Sequence, residues 1–237
     1  MPAFFTNVKV FGDISNLSIY RTYVISESNI GVFKNGSTLE IRAVDRPNAS
    51  SFPQKKLRFD MPPDSYISIL TLFVSGRTVI SDIDYDAINA NAHPLIVTLI
   101  DGATLRSALS CKYLYCKLES RSCLDGFTTS ESAICRWVID ELEVFMQHGC
   151  CIKGINVVKS GRFVLTKHTE SLGDHSTGLS DLTVADITLR PGASYKCVPV
   201  SKFENTPQFK LQRETALASS STEAQENQRT LIDITSQ

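Results

Sequence analysis

The chain has 237 residues, of which 42% are hydrophobic and 21% charged, and its formal net charge is -1. This composition is ordinary for a folded globular protein and excludes a fibrous or wholly disordered chain. A net charge close to zero also excludes a strong overall attraction to nucleic acid, so that any such binding has to come from a local cluster of basic residues.

The first hundred residues predict a fold that consists mainly of β-strands. Runs of β-branched and aromatic residues alternate with segments rich in Gly, Asn, Asp and Pro, as in short strands joined by turns. Asn35-Gly36 indicates a hairpin, because both residues tolerate the positive φ of a type I′ turn. Strands of this number and spacing predict a β-sandwich or barrel. The predicted strands are residues 4–10, 18–26, 29–33, 38–44, 55–59, 66–73 and 94–100.

The last of these strands is followed directly by Asp101. Burying a carboxylate without a partner is costly, or it forces the group to take up a proton. Asp101 is therefore either a structural anchor or part of a site.

Residues 129–148 predict an amphipathic helix. Thr128 is a suitable N-cap, Glu131 completes a capping box, and Gly149 provides the stop. The apolar residues of this segment recur at helical spacing, which places one hydrophobic face against the sheets. They are Ile134, Trp137, Val138, Leu142, Phe145 and Met146.

Further strands are predicted at residues 150–158, 162–167, 187–189 and 195–200, with a tight turn at 159–161 between the first two. Beyond residue 200 the sequence is polar and rich in Ser, Thr, Gln and Glu, which predicts a disordered tail. The predicted organisation is a β-sandwich domain over residues 1–200 and a tail over residues 201–237. The tail has four basic and five acidic residues, a net charge of -1 that favours docking to a partner over binding RNA.

No enzyme class is indicated by the motifs. The four histidines occur singly, and the chain has no GxSxG, P-loop, GxGxxG or HExxH motif. The acidic run at residues 81–86 starts like a calcium loop, but Ala87 stands where glycine is required. Seven cysteines without a CxxC pair favour free, mostly buried thiols over a zinc site or a disulfide framework. We therefore predict a protein without catalytic residues, cofactor or metal.

Targeting and membrane features are also missing from the sequence pattern. The first residues lack the basic start and apolar core of a signal peptide, and no run approaches the roughly 18 apolar residues of a membrane span. The expected location is the cytosolic side of the membrane, without a transmembrane span.

Basic residues are concentrated in two segments. One follows Asp101 and is interleaved with Tyr113 and Tyr115, and the other lies in the strands after the predicted helix. Basic side chains beside exposed tyrosines suit a nucleic-acid backbone with bases stacked on the rings, although a solvated sheet face has the same composition. The candidate nucleic-acid-binding residues are Arg106, Lys112, Lys117, Arg121, Lys153, Lys159, Arg162 and Lys167.

The order of elements over residues 60–168 resembles that of the plant-virus cell-to-cell movement proteins of the 30K superfamily. In that family an apolar strand ending in glycine precedes a loop and a strand with a Leu-x-Asp motif, which here correspond to Gly76, Leu99 and Asp101. The resemblance implies a jelly-roll β-sandwich, no enzymatic activity, and binding of single-stranded nucleic acid without sequence preference. Asp101 would then be a structural anchor that accepts hydrogen bonds from neighbouring backbone amides.

The resemblance also implies a cellular role. The protein would carry the viral genome through plasmodesmata, together with self-association and with host plasmodesmal or membrane-associated proteins as partners. Its location would be the host cytoplasm and plasmodesmata, with peripheral attachment to membranes.

Three alternatives stay open at this point. A viral coat or matrix protein uses a similar sandwich for self-assembly, but coat proteins commonly carry a basic arm, and neither end of this sequence is strongly basic. A cellular β-sandwich adaptor would bind peptides and no nucleic acid. An unrecognised hydrolase is the least favoured of the three.

Overall fold

A computed structural model describes residues 3–44, 56–88, 93–107, 110–126, 137–147, 149–166, 184–190, 192–199, 208–213 and 230–233. Apart from one 3₁₀ turn, Tyr85–Ala87, the elements in these ranges are strands. They are β1 Ala3–Phe11, β2 Leu17–Ile19, β3 Tyr23–Ser26, β4 Ile30–Asn35, β5 Thr38–Ala43, β6 Leu57–Asp60, β7 Ser65–Ser75, β8 Val79–Ile83, β9 Leu95–Leu99, β10 Thr104–Arg106, β11 Ser110–Leu118, β12 Cys123–Asp125, β13 Trp137–Gln147, β14 Cys151–Thr166, β15 Val184–Leu189, β16 Ser194–Pro199, β17 Gln208–Arg213 and β18 Thr230–Asp233.

The strands form two stacks of parallel strands, to which the chain contributes alternately. Stack A contains β1, β7, β9, β11, β13, residues 155–166 of β14, and β16. Stack B contains β2, β8, β10, β12, residues 151–157 of β14, β15 and β17. Each passage of the chain thus adds one strand to stack A and then one to stack B, which is the arrangement of a parallel β-helix.

One hydrophobic core lies between the two stacks. Val10, Leu72 and Val97 of stack A and Ile80 and Leu105 of stack B are at most 1% exposed and belong to the same cluster. Because side chains alternate between the faces of a strand, each stack turns one apolar face inward and a more polar face outward. The long strand β14 belongs to both stacks, so the sheet is nearly closed around this core.

Among the described residues, antiparallel strands occur as additions at the ends of this arrangement. The predicted hairpin is formed by β4 and β5, and β5 pairs with β1. Its turn lies at residues 36–37, because Asn35 ends β4 and pairs with Thr38, so the predicted positive φ occurs at Gly36, at +56°, and not at Asn35. Strands β3 and β6 pair with each other, and β3 also pairs with β2.

The prediction of a mainly β fold is confirmed, but the pairing differs from that of a jelly roll. A jelly roll is built from antiparallel strands, whereas all pairings within stacks A and B are parallel. Alternation of apolar residues shows that a segment is a half-buried strand, and it carries no information about the direction of its neighbour. The predicted tight turn at 159–161 is also wrong, because these residues lie inside the continuous strand β14.

The predicted helix over residues 129–148 is wrong where the structure describes the segment, since residues 137–147 form β13. The strand register shifts between Ile139 and Glu141, which is the mark of a β-bulge. The inward positions therefore change from odd to even numbers across the bulge. The buried residues Trp137, Ile139, Leu142, Val144 and Met146 follow this shifted period of two, which mimics a helical spacing. Residues 127–136 and 148 lie outside the described residues.

Two strands occur within the predicted tail at 201–237. Strand β17 continues stack B by pairing with β15, and β18 pairs with β17 in antiparallel direction. The expectation of disorder does not hold for these two segments. The other residues of this region lie outside the described part of the chain.

Within the described ranges, no helix is long and apolar enough to cross a membrane.

Candidate functional site

A column of tight turns, here named the corner turns, carries the chain from stack A to stack B. These turns contain residues with positive φ, among them Gly12 at +99°, Gly76 at +89° and Asp101 at +58°. Successive turns are bonded to each other, because the amide of Gly12 donates to the carbonyl of Ser75 at 3.1 Å. The residues singled out by the family resemblance therefore lie at or next to these turns.

Gly76 is required at its corner turn by geometry. A Cβ atom at this position would lie 2.4 Å from the carbonyl oxygen of Gly12 in the neighbouring turn. Its positive φ adds a second restriction, since residues other than glycine rarely adopt it. The close approach of the backbones at residues 12 and 76 thus explains why a glycine follows the apolar strand.

Leu99 and Asp101 connect the next turns of the column. Leu99 is fully buried, and its carbonyl accepts hydrogen bonds from the amide of Glu119 and the hydroxyl of Ser122, both at 2.9 Å. Asp101 is exposed, and its Oδ2 accepts a hydrogen bond from the hydroxyl of Ser75 at 2.9 Å. The structure gives this carboxylate a hydroxyl donor in place of the expected backbone amides, so that Asp101 links two corner turns through side chains.

The outward face of stack A carries a row of aromatic and basic side chains. The parallel register aligns Lys9, Phe73, Thr98, Lys117 and Phe145 across β1, β7, β9, β11 and β13. We name these five residues the outer row. Lys9 and Lys117 are exposed and the two phenylalanines are partly exposed. Since adjacent strands are about 4.8 Å apart, the row is about 19 Å long.

Rings and cations of neighbouring positions extend the outer row. The ring of Phe11 lies 5.7 Å from that of Phe73, and the ring of Tyr115 lies 5.4 Å from that of Phe145. The guanidinium of Arg162 lies 5.9 Å from the centre of the Phe145 ring. This part of the surface therefore presents flat apolar rings beside positive charges, a combination that suits stacked, negatively charged ligands.

The predicted basic residues do not form a single patch. Those on the outward face of stack A are Lys112, Lys117, Lys159 and Arg162. Arg106 and Lys153 lie on β10 and β14 in stack B, where Asp125 aligns with both, and Arg121 lies in a corner turn. Lys167 is outside the described residues.

Carboxylates accompany four of these cations. The separations are 3.7 Å for Arg106–Asp125, 2.8 Å for Lys117–Glu119, 2.7 Å for Lys159–Asp140 and 2.5 Å for Arg162–Glu143. The hydrogen bond to Asp140 and its charge raise the pKa of Lys159. Surface ion pairs of this kind stabilise the fold little, but they lower the local positive potential. Binding on this face would therefore depend strongly on the rings.

A second feature of stack A is a depression of about 310 Å³ beside the outer row, lined by Tyr113, Glu141, Glu143, Ser160 and Arg162 among others. The hydroxyl of Tyr113 donates to Glu143 at 2.9 Å, and this hydrogen bond raises the pKa of the phenol. The Tyr113 hydroxyl is thus hydrogen-bonded to a side chain, whereas the Tyr115 ring packs against Phe145.

The acidic run at residues 81–86 has a local structural role. Asp84 precedes the 3₁₀ turn and its side chain accepts a hydrogen bond from the amide of Asp86. Burial and the charge of Asp84 raise the pKa of Asp82. In the described part of the chain, no group of three His, Cys, Asp or Glu side chains is arranged to hold a metal ion.

The outer row is the feature that the sequence reasoning missed. The predicted helix places Phe145 on its apolar face, and the predicted strand over residues 66–73 leaves the face of Phe73 unspecified. In the structure, Phe73 and Phe145 alternate with residues that are at most 2% exposed: Leu72, Val74, Val144 and Met146. The signal in the sequence was that a strand assignment places each phenylalanine on the face opposite to its two apolar neighbours.

Comparison with known proteins gives no matching family model, no similar curated protein and no similar solved structure.

Proposed function

We propose that this chain binds single-stranded nucleic acid without reading its sequence, and that it is a non-enzymatic viral movement protein. The observation that carries the binding proposal is the outer row, in which two lysines and two phenylalanines lie in line along one face, with Thr98 between Phe73 and Lys117. The movement role rests on the Gly76, Leu99 and Asp101 motif of the 30K superfamily, because the helix and the tight turn at 159–161 that completed the resemblance in element order are wrong.

The chemistry of the outer row favours a single strand over a duplex. Unpaired bases can stack on Phe73 and Phe145, and each such contact contributes about 1–3 kcal/mol. Every base has a flat face, so stacking does not discriminate between sequences. Lys9 and Lys117 lie on the same line of strands and supply the charge that phosphates require.

The proposed role extends to partners and location. The protein would associate with itself and with host plasmodesmal or membrane-associated proteins, in the cytoplasm and at plasmodesmata. The formal charge of -1 leaves little general affinity for nucleic acid outside the outer row, so the rest of the surface is left for protein partners.

The binding proposal is tested with a fluorescent single-stranded oligonucleotide and the purified chain. We expect Phe73→Ala with Phe145→Ala to weaken binding about 30-fold or more, since two stacking contacts are lost. Lys9→Gln with Lys117→Gln should weaken binding less and reduce its dependence on salt. The measurement is fluorescence anisotropy at two or more salt concentrations.

Matched controls separate this surface from the rest of the molecule. Phe4 is 49% exposed on β1, and Lys56 is exposed before β6, so Phe4→Ala and Lys56→Gln change similar residues away from the outer row. Both controls should bind like the unchanged chain. Undiminished affinity of the double phenylalanine variant, in a protein that unfolds at a normal temperature, would refute the binding site.

A further inference from the structure

Two cysteines face each other across neighbouring strands of stack B. Cys123 on β12 and Cys151 on β14 are register partners, and their side chains are hydrogen-bonded to each other. Both are partly exposed, unlike the core thiols. Register partners in adjacent parallel strands lie about 4.8 Å apart, within the 4.4–6.8 Å between Cα atoms that a disulfide requires.

The surroundings of the pair shift the pKa values of its two thiols in opposite directions. The hydrogen bond from Cys123 lowers the pKa of Cys151, and the nearby Lys153 ammonium lowers it further against the effects of burial and of Asp125. The same contact with Cys151 raises the pKa of Cys123, and burial adds to the effect. Deprotonation is therefore favoured at Cys151 over Cys123, an inequality of the kind found in reactive dithiols.

The buried cysteines offer an internal contrast. Cys111, Cys116 and Cys150 are at most 4% exposed. Burial raises the pKa of all three, that of Cys111 to about 12. Thiols of this kind are poor nucleophiles and are shielded from oxidants. Among the cysteine side chains that the structure describes, reactivity is thus concentrated in one pair.

We propose that Cys123 and Cys151 form a redox-sensitive pair that closes to a reversible disulfide when the protein meets a peroxide. The Cys151 thiolate attacks one oxygen of the peroxide, which breaks the O–O bond, releases hydroxide and leaves a sulfenic acid. The Cys123 sulfur then attacks the sulfur of Cys151, its proton leaves with the hydroxyl group as water, and the S–S bond forms. In total, two thiols and one hydrogen peroxide give one disulfide and two waters.

The disulfide would link two neighbouring strands of stack B, β12 and β14, covalently. Strands β12 and β14 are paired over residues 123–125 and 151–153, a short contact of three residues on each side. A covalent link between them restrains the chain from residue 123 to residue 151, so the oxidised protein unfolds at a higher temperature. A dithiol or glutathione returns it to the reduced form. This inference is independent of the proposed nucleic-acid binding.

Mass spectrometry of the full chain tests the pair. The reduced protein is treated with a small excess of hydrogen peroxide, its remaining thiols are blocked with N-ethylmaleimide, and peptides are mapped without reduction. We expect a cross-linked peptide that contains Cys123 and Cys151 and is about 2 Da lighter than the two separate reduced peptides together, because two hydrogen atoms are lost. Alkylation of both cysteines after oxidation, or a linkage between other cysteines, would overturn the proposal.

Three variants make the result decisive. In Cys123→Ser, the sulfenic acid of Cys151 has no resolving partner, so it should accumulate and react with dimedone. In Cys151→Ser, Cys123 should stay reduced at the same peroxide concentration. Cys111→Ser removes a buried thiol and should leave the disulfide unchanged. A Cys151 that reacts with peroxide no faster than Cys111 in the folded protein would contradict the proposed mechanism.

Discussion

At the scale of single residues, the corner turns impose the strictest demands on side-chain identity. Gly76 and Gly102 both have positive φ, at +89° and +80°, but their surroundings differ. A Cβ at residue 76 would meet the backbone of Gly12 at 2.4 Å, whereas at residue 102 the nearest atom is the Arg77 Cγ at 3.8 Å. A Cβ at residue 102 would therefore introduce backbone strain alone, whereas a Cβ at residue 76 would add steric overlap.

We expect Gly76→Ala to lower the free energy of unfolding by about 3 kcal/mol, because left-handed backbone strain is joined by overpacking. Gly102→Ala carries the strain alone and should cost about 1 kcal/mol. Denaturant unfolding followed by the fluorescence of the single tryptophan measures both. Equal losses would show that φ, and not the contact with Gly12, makes glycine necessary at residue 76.

At Asp101 the prediction from sequence starts from the cost of burying a carboxylate and expects backbone amide donors, whereas the structure exposes Asp101 and gives it a side-chain donor. A carboxylate at the end of an apolar strand needs a partner, and the structure supplies one in the Ser75 hydroxyl. Its identity was not predictable, since Ser75 comes 26 residues earlier and meets Asp101 only through the stacking of strands.

At the scale of elements, β13 shows how a bulge changes the sequence pattern. Its inward residues are separated by two positions except across residues 140 and 141, where the register shifts. One extra outward residue turns a period of two into a spacing that also fits a helix face. Sequence alone gives the set of apolar positions, whereas the bulge depends on Lys159 and Ser160 in the adjacent strand β14.

Two valines in β13 distinguish the strand from the helix. Val144 is 1% exposed, whereas Val138 is only partly buried, although the helical spacing would place Val138 on the apolar face. We expect Val144→Ala to lower the free energy of unfolding by about 2 kcal/mol, from lost burial and a cavity. Val138→Ala makes the same chemical change and should cost less than about 1 kcal/mol.

Both substitutions replace valine by alanine and therefore lose the same β propensity. The difference between their losses in the free energy of unfolding thus reports the difference in burial. Urea unfolding of the two variants under identical conditions measures it. A larger loss for Val138→Ala would contradict the inward face seen in β13.

At the scale of the whole molecule, the parallel direction of the stacks was the part least accessible to sequence reasoning. Several strands, among them β1, β5, β7 and β9, were predictable from alternation and turn residues, and the hairpin β4–β5 from turn chemistry. Strands β8, β10, β11 and β12 were not predicted, and the predicted strand over residues 18–26 is divided into β2 and β3. The pairing of β7 with β9 joins residues such as Phe73 and Thr98 across a long connection. No local pattern specifies such a partner, so the outer row that this pairing assembles was also missed.

The movement role is a property of the whole protein and has its own test. We expect a fluorescent fusion expressed in leaf epidermis to form puncta in the cell wall and to spread into neighbouring cells. The Phe4→Ala fusion should behave in the same way, whereas Phe73→Ala with Phe145→Ala should reduce the transport of a co-expressed viral RNA. This follows because RNA held by stacking is lost from the complex when both rings of the outer row are removed.

A diffuse signal confined to single cells would contradict the movement role and would favour a coat, matrix or adaptor protein. The anisotropy measurements decide nucleic-acid binding separately, because they need neither plasmodesmata nor host proteins. A chain that binds oligonucleotides through the outer row but stays in single cells would therefore keep its binding site and lose its proposed transport role. The reverse result, spread without oligonucleotide binding, would place the transport determinants outside the outer row.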